Sequence, residues 1–358
     1  MTSPVLPFGA AAALLRRAAT WVSTPLLPED FLGVVDPLWS ARQLRGRVEA
    51  VQPESRGAAT IVLRPGRGWQ RHRAGQYLRV GVQINGARQW RTYSLTSPEN
   101  RSDGLISFTV KDVGLVSGQL VHRTAPGDLL FLEQPQGEFV LPAVAGPLLF
   151  VTGGSGITPV MGMLRTLAAQ NALADVVMLH SAVDQADVCF AAELRSLTEQ
   201  HRGFELTVRL TDNEGLLSFD QLAALVPDWQ DRSAWICGPG GMLDAAEKHY
   251  AGAGRSDLLH IERFRAALVG EVGEGGAVTY RRSDQLVEVD GTTSLLDAGE
   301  AAGVVMPSGC RMGICFGCVL PLTAGKVRDL RTGEVHGDEG DLVQTCISAA
   351  AGPVELDV

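Results

Sequence analysis

The sequence predicts a multidomain protein of three folded units: an antiparallel β-barrel, then an α/β doubly wound domain, then a small α+β domain. Three observations predict it. From Gly46 to about Leu141 the chain runs in short alternating apolar segments, punctuated by Gly, Pro and Asn. From Pro147 to about Phe264 short buried-type apolar runs alternate with helical stretches. After a glycine-rich run, the C-terminal portion gathers four of the chain's six cysteines. A length of 358 residues accommodates two to three domains.

Taken in order, residues 1–45 form an N-terminal extension, Ala/Leu-rich with Arg16 and Arg17 and then Pro-rich at Pro25, Pro28 and Pro37. They read as one short helix and an arm packed on the body. A helix lying on a membrane surface is the alternative. The apolar run from Phe8 to Leu15 is far short of the roughly 20 residues a span needs. Its charges follow it rather than precede it, the wrong order for a signal peptide. Residues 46–143 form the barrel domain, with strands such as Thr60-Ile-Val-Leu63 and Leu105 to Val110 among about six. Residues 144–268 form the doubly wound domain. Its strands are expected over 147–152, 175–180, 205–210 and 234–237, with helices over 160–170 and 191–200. Residues 269–276 read as a linker by their glycine content. In 277–358 a hairpin over 277–281 and 285–289 precedes a helix over 293–301, capped near Thr292 or Thr293, and then the cysteine loop.

Composition narrows the function classes. Hydrophobic content of 45% and charged content of 20% are those of a soluble globular protein. The net charge of −9 argues against a nucleic-acid partner. Acid concentrates at the C-terminus, where residues 271–358 hold 14 Asp/Glu against 6 Lys/Arg. Such a domain suits a partner with a basic face, although solubility alone also explains it. Crowded cysteines in a chain of this length point to a metal site in a reducing, cytoplasmic setting rather than a disulfide scaffold.

The most specific motif is Cys310-x4-Cys315-x2-Cys318, with Cys346 following at a distance. That spacing fits the four thiolate ligands of a plant-type [2Fe–2S] cluster. Gly309, Gly313 and Gly317 allow the tight backbone that turns amides toward sulfur. A structural zinc site is the alternative, but zinc knots usually offer two C-x2-C hooks and this chain has one. Cys189 and Cys237 fall in expected core.

Arg91-Thr92-Tyr93-Ser94 closes the barrel segment, after Gly75-Gln76-Tyr77. Gly114-Leu-Val116-Ser117 follows a strand and opens a helix, where backbone amides can hold phosphate. Gly153-Gly154-Ser-Gly156-Ile-Thr158-Pro and Cys237-Gly238-Pro239-Gly-Gly each follow a buried strand, the place where open α/β sheets bind ligands. With these motifs in this order, the chain resembles the ferredoxin–NADP reductase superfamily from about residue 46 to its end.

The resemblance implies FAD rather than FMN. It implies that Arg91 pairs with a flavin phosphate, Tyr93 stacks on the isoalloxazine and Ser94 hydrogen-bonds near N5. Thr92 belongs to the same signature. Gly114, Val116 and Ser117 would hold the pyrophosphate. Gly153, Gly154, Gly156 and Thr158 would receive the nicotinamide nucleotide, and Cys237, Gly238 and Pro239 would border it. Ser94, Thr158 and Cys237 are then the residues nearest the hydride transfer. The C-terminal unit would be a β-grasp-like ferredoxin domain.

The chain departs from NADPH-using relatives after the second and third parallel strands. Asp184 and Asp212 stand where a cation would hold a 2′-phosphate, which favours NADH, although Ser181 and Arg209 are close by. The order flavin, nicotinamide, ferredoxin resembles the reductase components of ring and phenylacetyl-CoA oxygenases. The N-terminal arm also looks like that of reductases serving membrane acyl-CoA desaturases and alkane hydroxylases. The implied partner is therefore a terminal oxygenase, hydroxylase or desaturase, with peripheral membrane contact only through such a partner. Reductases of a cytochrome P450 or a quinone, and a non-catalytic electron-transfer docking module, are the rival readings.

Overall fold

The computed structural model describes residues 33–40, 42–84, 86–142, 146–264, 273–309, 311 and 313–358. The short N-terminal helix and most of the expected arm lie outside the described residues, as does Cys310. Pro37–Trp39 form a single 3-10 turn capped by Asp36, whose carboxylate also pairs with Arg47 at 2.8 Å.

The barrel sheet has six strands: β1 Arg45–Pro53, β2 Ala58–Pro65, β3 Tyr77–Ile84, β4 Ala87–Ser94, β5 Ile106–Lys111 and β6 Leu129–Leu132. Their order is β4-β3-β6-β1-β2-β5. The open edges approach through an isolated bridge between Leu95 and Phe108, which curls the sheet toward closure. Alternation puts Ile61, Leu63, Leu78, Val80 and Phe108 inside, all fully buried. Helix α1, Leu115–His122, packs Val116 and Leu120 into the same core.

The second sheet is parallel, in the order β11-β10-β7-β8-β9. Its strands are β7 Leu148–Gly153, β8 Val176–Ala182, β9 Phe204–Leu210, β10 Ser233–Cys237 and β11 Leu259–Glu262. Every residue of β7 is buried, as a central strand covered on both faces must be. Phe150 and Trp235 face α2 (Ile157–Ala169) and α3 (Ala191–Gln200). Leu149, Val151 and Ile236 face α4 (Gly240–Gly252) on the other side. Pro159 is tolerated in α2 because its first-turn amide has no intrahelical partner to lose.

The C-terminal unit holds β12 Gly273–Tyr280, β13 Gln285–Gly291, α5 Leu295–Ala301, β14 Val319–Asp329, β15 Val335–His336, β16 Leu342–Gln344 and β17 Ser348–Leu356. Its main sheet runs β13-β12-β17-β14-β15, with β12 and β17 parallel at the centre and β16 pairing β14. Two expectations differ here. Gly273 to Gly276, read as linker, are strand. A Cβ at Gly275 would lie 2.1 Å from the Val289 carbonyl oxygen, and one at Gly276 2.2 Å from that of Gly352. These glycines therefore serve backbone approach at a bulge rather than flexibility. Helix α5 is capped not by Thr292 or Thr293 but by Ser294, whose side chain accepts from the Asp297 amide. Both threonine amides bond the Asp290 carboxylate instead.

Candidate functional site

Of the residues named from sequence, Arg91 to Ser94, Gly114, Val116, Ser117 and Thr158 line one cavity of about 830 Å³, walled by all three units, while Gly153, Gly154, Gly156, Gly238 and Pro239 line a second. Strand β4 contributes Arg91, Thr92, Tyr93 and Ser94, and the β5–α1 turn contributes Gly114 to Ser117. The parallel sheet contributes Ser155, Thr158 and Glu262, and the C-terminal unit contributes Ser294, Glu300, Gly309 and Arg311.

On β4, Tyr93 stacks on Phe108 at 5.1 Å between ring centroids. Burial pushes its phenol well above the ordinary range, so it stays neutral. The hydroxyls of Thr92 and Ser94 are buried without a hydrogen-bond partner. Orphaned donors on a cavity wall are what a polar ligand would satisfy, so this wall fits a flavin. Arg91 is already engaged. Its guanidinium donates to Ser308 Oγ at 2.6 Å and to Glu300 Oε1 at 2.6 Å, both in the C-terminal unit. Burial, and then the charge of Arg311, hold its pKa below the usual value. Glu300 is also bonded by Arg311, so one carboxylate ties two arginines together.

Gly114 has extended backbone and nothing near a built Cβ, leaving open space at the start of α1. Val116 is buried beneath the turn. Ser117 accepts from the Val113 amide and donates to the Gly114 carbonyl, so its hydroxyl shapes the turn.

The two glycine-rich loops after β7 and β10 lie side by side, because those strands are adjacent and parallel. A Cβ at Gly156 would meet the Cys237 carbonyl oxygen at 2.1 Å, and one at Gly153 would meet Pro239 Cδ at 2.8 Å. One at Gly238 would meet Met242 Cε at 2.4 Å. These three glycines make room for each other's loops. Gly154, Gly240 and Gly241 face open space beside a second cavity of about 620 Å³ that Pro239 also lines. Thr158 Oγ1 donates to the Ser155 carbonyl in the first turn of α2.

Cys237 is fully buried beneath the cavity floor and is not among the residues lining either cavity. Burial, and then the nearby Glu262 carboxyl, push its thiol up. Glu262 stands opposite it in register and does line the main cavity. Burial pushes its carboxyl up to about 8, and Oε2 has no partner. Glu262 was not singled out from the sequence. Its one signal was a carboxylate closing the apolar run Leu258-Leu-His-Ile.

In the cysteine loop, Cys318 and Cys346 are buried and in direct contact, and Cys346 draws the Cys318 thiol down to about 6. The Gly317 amide donates to Cys315 Sγ at 3.4 Å. A Cβ at Gly309 would fall 2.3 Å from Cys315 Sγ, so the loop leaves sulfur a cradle that only glycine keeps open. Among the described residues no three Cys, His, Asp or Glu side chains close into a metal set. The fit to an iron–sulfur cluster rests on the thiols' chemistry and this cradle.

Comparison with known proteins decides the family. Residues 62–141 match the model of an oxidoreductase FAD-binding domain, 150–248 an oxidoreductase NAD-binding domain, and 278–351 a 2Fe-2S iron-sulfur cluster binding domain. An NADPH oxidoreductase of Mycobacterium tuberculosis is 49% identical over 350 residues, covering 96% of this chain and 92% of that one. The chain belongs to this family of FAD- and NAD-binding reductases with a C-terminal 2Fe-2S domain. It is an NAD(P)H-dependent oxidoreductase whose cofactors are FAD and a [2Fe–2S] cluster. The ferredoxin reductase component of the 3-ketosteroid-9-alpha-monooxygenase of M. tuberculosis is 33% identical, over 72% of this chain and 76% of that one. Among solved structures, phthalate dioxygenase reductase superposes with a TM-score of 0.62 at 25% identity, covering 88% of this chain and 97% of that one. The reductase's three-unit architecture is the one expected from sequence. Among the described residues no helix is long and apolar enough to cross a membrane.

Proposed function

We propose that this reductase takes hydride from a nicotinamide nucleotide at the cavity between β4 and the two glycine loops, and delivers single electrons to a terminal oxygenase or fatty acyl desaturase. The observation that carries this is one cavity lined by β4, by Thr158 and by Gly309 and Arg311 of the cysteine loop. A bound FAD supplies the exchange between two-electron and one-electron chemistry, and a bound [2Fe–2S] cluster supplies the outward transfer.

The protein's own part is placement and proton control. Ser94 and Thr92 offer unpaired hydroxyls to the flavin ring, and Tyr93 gives it a flat apolar neighbour. Glu262, protonated at neutral pH, offers a hydrogen-bond donor to the same space. Cys237, beneath the floor, acts by packing Glu262. Cys310, Cys315, Cys318 and Cys346 serve as the cluster ligands. The oxygenase assignment draws support from the relatives named as monooxygenase and dioxygenase reductases.

The donor we assign is NADPH. The Asp184 carboxylate, which favoured NADH in the sequence, accepts from the amides of Ala186 and Asp187 and pairs with Arg56 at 2.9 Å. Its charge is locally compensated. Arg209 stands in register with Ser181 at the edge of the sheet; its guanidinium donates to the Gly215 and Glu214 carbonyls and to Gln221 Oε1, neutral partners that leave its charge uncompensated for a 2′-phosphate. The relative at 49% identity is itself named an NADPH oxidoreductase. NADH remains the second reading, carried by exposed Asp212.

The test is anaerobic stopped-flow absorbance with NADH and NADPH in parallel. Flavin bleaching followed by cluster bleaching, faster with NADPH, is expected. Faster bleaching with NADH would return the assignment to Asp212, and no bleaching with either would refute the relay.

A further inference from the structure

Among the described residues, four arginines that stand near the cysteine loop each have a carboxylate partner, and two of them, Arg91 and Arg79, come from the barrel. Arg311 pairs with Asp297 and Glu300, and Arg331 with Asp329, all within the C-terminal unit. Arg79 projects from β3 of the barrel, where it stands opposite Thr92. Its Nη1 bonds both oxygens of Glu133, at 2.9 and 3.0 Å, also in the barrel unit. The Trp90 ring lies 5.4 Å beneath the guanidinium, and Nε is buried without a partner. The side chain is 15% exposed, so this cation is held in place rather than waving in solvent.

Its other nitrogen crosses the interface. A Cβ built at Gly309 lies 3.2 Å from Arg79 Nη2 and 2.3 Å from Cys315 Sγ. One built at Gly317 lies 3.5 Å from Nη2 and 3.4 Å from the same sulfur. Nη2 and Sγ are therefore within about 5.5 Å of each other, well inside the range over which a half-buried charge acts.

We propose that Arg79 is a tuning residue, a cation lent by the flavin unit to the cluster loop that makes the cluster easier to reduce while the two units are docked. The inference rests on the reading of Cys315 as a cluster ligand. Reduction moves one electron from the reduced flavin to the cluster and adds one negative charge to it. A fixed positive charge beside a ligand sulfur stabilises that added charge and raises the reduction potential. Glu133 opposes the effect and sets its size. Because Arg79 belongs to the barrel, separation of the C-terminal unit withdraws the cation and leaves the cluster a stronger reductant for an outside acceptor.

The experiment is a spectroelectrochemical titration of the purified holoprotein and of Arg79→Gln, Arg79→Lys and Glu133→Gln, reading cluster absorbance and its reduced-state paramagnetic resonance signal. Arg79→Gln is expected to lower the equilibrium constant for flavin-to-cluster transfer about tenfold, a fall of ~59 mV in a one-electron midpoint. Arg79→Lys should stay near wild type, and Glu133→Gln should move the midpoint upward. An unchanged midpoint in Arg79→Gln overturns the inference. If that variant fails to assemble a cluster, Glu133→Gln decides alone, an upward shift supporting the inference and no shift refuting it. Wild-type protein without any [2Fe–2S] signal would instead sink the underlying cluster reading.

Discussion

Replacing Glu262 with Gln should change how the stability of this reductase depends on pH. The carboxyl ionises at about 8 in the folded protein, against 4.5 for an ordinary exposed glutamate. Below pH 4.5 it is protonated in both folded and unfolded chains and contributes no pH dependence. As pH rises, the unfolded chain ionises freely while the folded chain must keep the proton or bury a charge. Stability is lost through this interval and levels off once pH passes about 8. At ~1.36 kcal/mol per pH unit the whole loss is about 5 kcal/mol, and about 3 kcal/mol of it has accrued by pH 7. Glutamine has nearly the same shape and never ionises. Glu262→Gln should therefore match the wild type near pH 5 and exceed its stability by a few kcal/mol at pH 8. Denaturant midpoints at the two pH values measure this directly. Equal differences between variant and wild type at both values would show that Glu262 is not held protonated. The same variant keeps an amide beside the flavin cavity, so a drop in hydride-transfer rate that worsens at low pH would connect the carboxyl to the chemistry.

Three further outcomes follow from the geometry. Gly156→Ala sets a methyl against the Cys237 carbonyl oxygen at 2.1 Å, and calorimetry should show it destabilised by about 1–3 kcal/mol, with a raised KM for the nucleotide. Arg209→Gln should lose roughly tenfold or more in kcat/KM for NADPH, the loss of a charged hydrogen bond, and little for NADH. An equal loss with both would remove Arg209 from the phosphate site. Cys318→Ser should abolish the cluster's visible absorbance while NAD(P)H still bleaches the flavin at the wild-type rate, and an intact cluster in that variant would refute its place as a ligand.

What the sequence exposed and what it hid divide along a physical line. Period-two and strand–helix patterns are local, so the barrel, the parallel sheet and the hairpin were all readable. The glycines from 153 to 156 and from 238 to 241 were readable as loops after strands, but not which of them face a ligand. Gly156 and Gly238 are small because another loop presses on them, and Gly154 and Gly240 because something else can enter. A one-dimensional pattern assigns the same letter to both reasons. The run at 273–276 shows the same ambiguity, since close strand approach and linker flexibility call for the same residue.

Contacts between units were hidden for a stronger reason. Arg91 and Glu300 are 209 positions apart, and neither sits in a motif that names the other. Arg91 is the cation expected to meet a flavin phosphate, yet Glu300 and Ser308 hold it across the interface. A phosphate arriving at Arg91 meets a carboxylate already there, and Arg311 on the far side of Glu300 can retain that carboxylate when Arg91 turns to the phosphate. If Arg91 holds the flavin phosphate, flavin loading and docking of the C-terminal unit share one residue and are linked equilibria. With Arg79 reaching the cysteine loop from the same sheet, two arginines of the barrel meet the C-terminal unit. On the tuning role proposed for Arg79, the flavin unit sets the conditions under which the cluster receives its electron.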